Sequence, residues 1–112
     1  MTVRLASEPP GPDGRVRGAL LLDLAPGWKT YWIDPGESGI PPTIDFSGTA
    51  GFGRAELHFP APQRFGEGLA RANGYEQSLA VGFELVPEAD ARLGSVEASV
   101  LLGVCRHICI PV

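Results

Sequence analysis

The chain has 112 residues, 44% of them hydrophobic, with a net charge of -4, which suits a single domain with one core. No apolar run approaches the 18 or more residues of a membrane-spanning helix. The absence of a basic cluster argues against nucleic acid and anionic lipid as partners. Fifteen glycines and eleven prolines interrupt stretches that mostly alternate apolar and polar residues, the pattern of an all-β sandwich or barrel of short strands. Met1, Thr2, Val3 and Arg4 lead into polar, proline-rich chain without the pattern of a secretory leader. The expectation is a cytosolic protein or one whose leader is removed.

Residues 7–14, SEPPGPDG, have turn chemistry. In RVRGALLLDL the parity of Val16, Gly18, Leu20, Leu22 and Leu24 predicts a core-facing strand edge, with Arg15, Arg17 and Asp23 outward. Residues 27–42, GWKTYWIDPGESGIPP, place three aromatics just before a loop of glycine and proline. Trp28, Tyr31 and Trp32 suit core packing, and a strand can put Tyr31 and Trp32 on opposite faces. The functional alternative is that one of them walls a groove. TIDF at 43–46 suits a short strand. RAELHF from Arg54 alternates Ala55, Leu57 and Phe59 against Glu56 and His58, which makes His58 a surface residue. Residues 63–77 read as a glycine-punctuated loop carrying Phe65 and Tyr75. SLAVGFELV from Ser78 is a further strand with Leu79, Val81, Phe83 and Leu85 on one face.

The final stretch, SVEASVLLGVCRHICIPV at 95–112, holds both cysteines of the chain, Cys105 and Cys109. From Val96 to Cys105 the alternation predicts one strand, with Val96, Ala98, Val100, Leu102 and Val104 inward. Cys105 then leaves on the face of Glu97 and Ser99, unless a bulge near Gly103 reverses it. Four residues of extended chain span about 13 Å, whereas a disulfide needs Cα atoms within about 7 Å. Pairing therefore requires a turn through Arg106, His107 and Ile108, and Ile110 with Pro111 favours a hairpin. The chain stops three residues after Cys109, which reads as too soon for a return strand and suggests a piece of a longer protein.

A bridge across so short a loop stabilises by only about 2 kcal/mol on the loop-entropy estimate. Short, surface-facing bridges are the labile or catalytic ones, and Arg106 and His107 supply positive charge that favours thiolate. On these residues alone, three other readings stay open: two inert thiols, a purely structural bridge, or a soft metal site for Cu(I) or zinc. The metal reading uses Cys105, Cys109 and His107, with His58 as the remaining histidine. Other chemistry is thin, because the carboxylates and serines form no recognisable acid-base or nucleophile constellation.

Four segments together, GWKTYWIDPGESGIPP, HFPAP with the following RF, NGY, and GVCRHICIP, resemble the N-terminal periplasmic domain of the DsbD and ScsB thiol:disulfide interchange proteins. The likeness is spread over roughly residues 15–111. It implies an immunoglobulin-like β-sandwich and a redox-active pair on a hairpin, with Cys105 and Cys109 as the exchanging thiols and Cys109 forming the mixed disulfide. No organic cofactor or metal is implied. The implied partners are a thioredoxin-like redox domain and periplasmic disulfide proteins, with a transmembrane domain in the same full-length chain and a periplasmic location. Family members shield the pair with an aromatic cap, for which Phe65 is the candidate; Tyr31 is a second candidate for the groove wall, and His107 lies between the thiols. The three-residue spacing matches the ScsB-like branch and is shorter than in DsbD, so the local geometry is expected to differ. Two rivals are carried: a copper-handling module, prompted by the copper-tolerance association of ScsB-like proteins, and a non-catalytic immunoglobulin-like binding domain.

Overall fold

A computed structural model describes residues 2–36, 39–66, 72–105 and 109–111, with backbone alone for 105 and 109–111. Among them are strands and turns but no helix. In chain order the strands are β1 (Thr2–Ser7), β2 (Val16–Asp23), β3 (Lys29–Tyr31), β4 (Thr43–Asp45), β5 (Phe52–His58) and β6 (Gln63–Phe65). They continue with β7 (Ala72–Tyr75), β8 (Leu79–Pro87), β9 (Ser99–Leu101), β10 (Gly103–Cys105) and β11 (Cys109–Pro111). All pairings are antiparallel and build a four-stranded sheet in the order β1-β2-β8-β5, a five-stranded sheet β11-β10-β3-β7-β6, and the pair β4-β9.

The molecule is the all-β, immunoglobulin-like sandwich expected from the sequence. Its core follows from strand periodicity. The inward parity of β2 supplies Val16, Leu20 and Leu22, and that of β8 supplies Val81, Phe83 and Leu85. Val104 joins them from the five-stranded sheet, together with Leu102 just before it and Phe46 just after β4. The rings of Phe46 and Phe83 lie 4.9 Å apart at 43°, a tilted contact suited to the aromatic quadrupole. Ala55, Leu57, Phe59 and Trp28 pack at the margin of this core, and His58 is exposed, as the alternation predicted. On the outer face of the four-stranded sheet Glu84 receives both Arg15 at 3.2 Å and Arg17 at 2.7 Å.

Three expectations need correction. The run from Val96 to Cys105 is not one strand: it breaks at Leu102, with β9 paired to β4 and β10 paired to β3. Alternation reports which face a residue takes, not which strand it pairs with, so a change of sheet is invisible to it. The inward parity persists across the break, with Leu102 and Val104 both buried, so the alternation runs unreversed from β9 into β10. Residues 63–77 are not simply a loop, since β6 and β7 pair within them. The amino-terminal residues form β1, exposed at every position, along the edge of a sheet. Finally, the three residues after the turn do make a return strand, β11.

Candidate functional site

The site is built on β10 and its two neighbours. The β10-β11 register sets Gly103 opposite Pro111, Val104 opposite Ile110 and Cys105 opposite Cys109. Directly opposed residues of an antiparallel pair have Cα atoms about 4.5 to 5.5 Å apart. That lies inside the window of about 4.4 to 6.8 Å a disulfide requires. The backbone thus puts the two cysteine positions at bonding separation. On the other side of β10, Cys105 is opposite Lys29 and Val104 is opposite Thr30.

Strand pleating gives the two faces of this sheet different roles. Val104 belongs to the sandwich core, so the position of Cys105 falls on the outer face, shared with Gly103. That outer face carries a second, small apolar cluster of Tyr31 and Ala72, with Ile40 and Phe65 packed against it. Tyr31 lies beside Gly103, where an added Cβ would stand 2.8 Å from Ile40 Cβ and 3.2 Å from Tyr31 Cδ2. Glycine here leaves room for the aromatic ring and Ile40 to close over β10 two residues before Cys105. Burial pushes the Tyr31 phenol above its ordinary pKa.

Lys29 Nζ sits 4.6 Å from the centre of the Phe65 ring and 3.8 Å from Glu76 Oε1. Both contacts are weak. An exposed cation-π contact contributes about 0.5 to 1 kcal/mol and an exposed ion pair about 0 to 1 kcal/mol. A cleft of about 210 Å³ lined by Gly27, Trp28, Lys29 and Glu76 opens at this end of β3.

Hydrogen bonds hold the platform still. The buried Thr30 hydroxyl donates to the Gly103 carbonyl at 2.9 Å, tying β3 to β10. Asn73 fastens the loop after β3: its side-chain amide donates to Asp34 O at 3.0 Å and its backbone N–H to Pro35 O at 2.7 Å. Its carbonyl accepts from Trp32 N at 2.9 Å. The Tyr75 hydroxyl donates to Pro60 O at 2.8 Å. The segments TYWIDPG, HFPAP and NGY, distant in sequence, are therefore joined by these bonds around one sheet.

Of the residues singled out from sequence, Tyr31 and Phe65 meet in one cluster on the face of the Cys105 position. Trp28 instead packs against the sandwich core. His107 lies outside the described residues. Among the described residues no three histidine, cysteine, aspartate or glutamate side chains gather as a metal site. Sequence reasoning missed Lys29, Thr30, Ile40, Asn73 and Gly74. Their presence in the GWKTYW, SGIPP and NGY segments was the available signal, but only pairing of the strands assigns each a partner.

The family model described as "Thiol:disulfide interchange protein DsbD, N-terminal" matches residues 3–112. Among solved structures, the N-terminal periplasmic domain of ScsB from Proteus mirabilis superposes with a TM-score of 0.79 at 30% sequence identity. The match covers 98% of this chain and 42% of that one, so the chain spans about two fifths of its length. A search of curated protein sequences finds no match.

Proposed function

From the premise that this chain belongs to the family of N-terminal domains of the thiol:disulfide interchange protein DsbD, we propose that it is a periplasmic thiol-disulfide exchange module using Cys105 and Cys109. The observation that carries the reading is the register that sets these two residues opposite each other on β10 and β11. A pair at bonding separation can alternate between dithiol and disulfide without a change of strand pairing.

The chemistry is two successive thiol-disulfide exchanges. In the reduced module the Cys109 thiolate attacks one sulfur of a partner disulfide, forming a mixed disulfide and expelling the partner's other sulfur as thiolate. The Cys105 thiolate then attacks Cys109 Sγ, closing the internal disulfide and releasing the partner's second sulfur. Two electrons pass to the partner, and its two sulfurs take up protons from solvent. Recharging runs the same steps backwards from a dithiol donor. A thioredoxin-like domain suits the donor role, with a membrane domain of the full-length protein supplying it, and periplasmic disulfide proteins suit the acceptor role. Tyr31 and Phe65 belong to the surface against which a partner docks.

Equilibrating the folded protein with thiol buffers and trapping free thiols measures its reduction potential. A reversible value between about -120 and -270 mV is expected, the range of known exchange proteins. A value below about -300 mV marks a structural bridge and overturns the proposal. Cys105→Ser, which leaves Cys109 unresolved, is expected to accumulate the mixed disulfide with a partner.

A further inference from the structure

We propose that Lys29 is the counter-ion of the Cys105 thiolate, parked on Phe65 and Glu76 while that sulfur is uncharged. The inference deepens the exchange reading and rests on it. Three observations lead to it. First, Lys29 is the direct cross-strand neighbour of Cys105, on the side of β10 away from Cys109. Side chains at opposed positions emerge on the same face with Cβ atoms about 4.5 to 5.5 Å apart, well within the reach of a four-carbon lysine stem. Second, among the described residues the ammonium is held by an aromatic face at 4.6 Å and a carboxylate at 3.8 Å, both weak contacts, and its side chain is 41% exposed. Third, both holding groups lie on the β6-β7 side of β3, so Lys29 can turn from them to β10 by rotating its stem, with its backbone kept in the ladder.

Among the described residues, the other charged and titratable groups around Lys29 do not take this role. Tyr31, two residues along the same face, is a neutral phenol whose pKa burial raises further. Glu76, beyond the end of β7, and Asp34, in the loop after β3, bear negative charge, which opposes a thiolate. The described residues of β10 and β11 carry no charged side chain. Arg106 and His107 lie between the cysteines in sequence.

The consequence falls on particular steps. When a donor thiolate attacks Cys109 Sγ of the internal disulfide, the S–S bond breaks and its electron pair leaves on Cys105. A leaving thiol of lower pKa departs faster, and an adjacent cation lowers it. In the discharge direction the same cation keeps Cys105 ionised for its attack on the mixed disulfide. Glu76 moderates the effect by competing for the ammonium.

The test isolates Cys105 in a Cys109→Ser background and follows the rate of its alkylation against pH. Lys29→Met keeps the stem and a sulfur-aromatic contact with Phe65 while removing the charge. It is expected to raise the apparent pKa of Cys105 by about one unit and to slow alkylation at neutral pH several-fold. Lys29→Arg restores the original pKa. An unshifted pKa in a folded Lys29→Met protein overturns the inference and assigns Lys29 to surface packing alone. Because this titration needs no second cysteine, it gives its answer even where the intact pair lacks a reversible potential, so failure here is distinct from failure of the exchange reading.

Discussion

At Gly103 the absence of a side chain sets how closely two others approach the strand of Cys105. An alanine methyl would meet Ile40 Cβ at 2.8 Å and the Tyr31 ring at 3.2 Å. Crowding of this kind costs about 1 to 3 kcal/mol. Gly103→Ala should lower stability by that order in denaturant titrations. In an Ile40→Gly background the same substitution should cost less, because Ile40 Cβ, the nearest obstacle, is gone; strict additivity of the two changes would show that they do not share this contact. The sequence offered a hint of the Tyr31 environment through its cluster of aromatics. It offered none of Ile40, which reads as an ordinary residue before two prolines until the loop is seen lying over β10.

Strands β3 and β7 approach each other so closely at Gly74 that an added Cβ would collide with the Thr30 carbonyl oxygen. Gly82, in the middle of β8, has its nearest neighbour, His58 Cβ, at an ordinary 3.6 Å. Gly74→Ala is therefore expected to destabilise by about 1 to 3 kcal/mol or more, while Gly82→Ala stays near neutral or gains slightly because glycine weakens a strand interior. Equal effects at the two sites in thermal unfolding would refute this account. The contrast explains what sequence could resolve among the elements. Strands β2, β5 and β8 announce themselves because one face is apolar and the other polar. Strand β7, ANGY, contains the glycine and asparagine that usually signal a turn; here glycine permits close approach and asparagine ties down the loop after β3. The split of the last long run into β9 and β10 escaped for a different reason, since Leu102 keeps the inward parity on both sides of the break.

Across the whole sandwich, pH dependence enters through a buried tyrosine. The Tyr75 phenol is pushed up to about 12 from an ordinary 10.0 by burial, and its hydroxyl donates to Pro60 O. The folded state therefore retains this proton where the unfolded chain loses it. Stability from this group is fully present below pH of about 10 and is lost as pH rises toward about 12. Urea midpoints should fall across that window, and Tyr75→Phe should flatten the fall; an unchanged slope would place its origin elsewhere. At this scale the sequence was most informative. The two faces of β2 and β8 indicated a sandwich before any pairing was known, and the spacing of Cys105 and Cys109 required a turn between them if they pair. The order of strands within each sheet was not legible, because it depends on long-range partners such as Val104 with Thr30.

The opposition of Cys105 and Cys109 across the β10-β11 ladder has one more consequence under the exchange reading. Main-chain pairing of β10 with β11 sets that register, and the exchange reading keeps it in both redox forms. Both redox forms then offer nearly one outline to an approaching protein, so donor and acceptor compete for a single berth. Delivery of electrons becomes a ferry with strict alternation, its throughput governed by how quickly each visitor leaves after its sulfur has been exchanged.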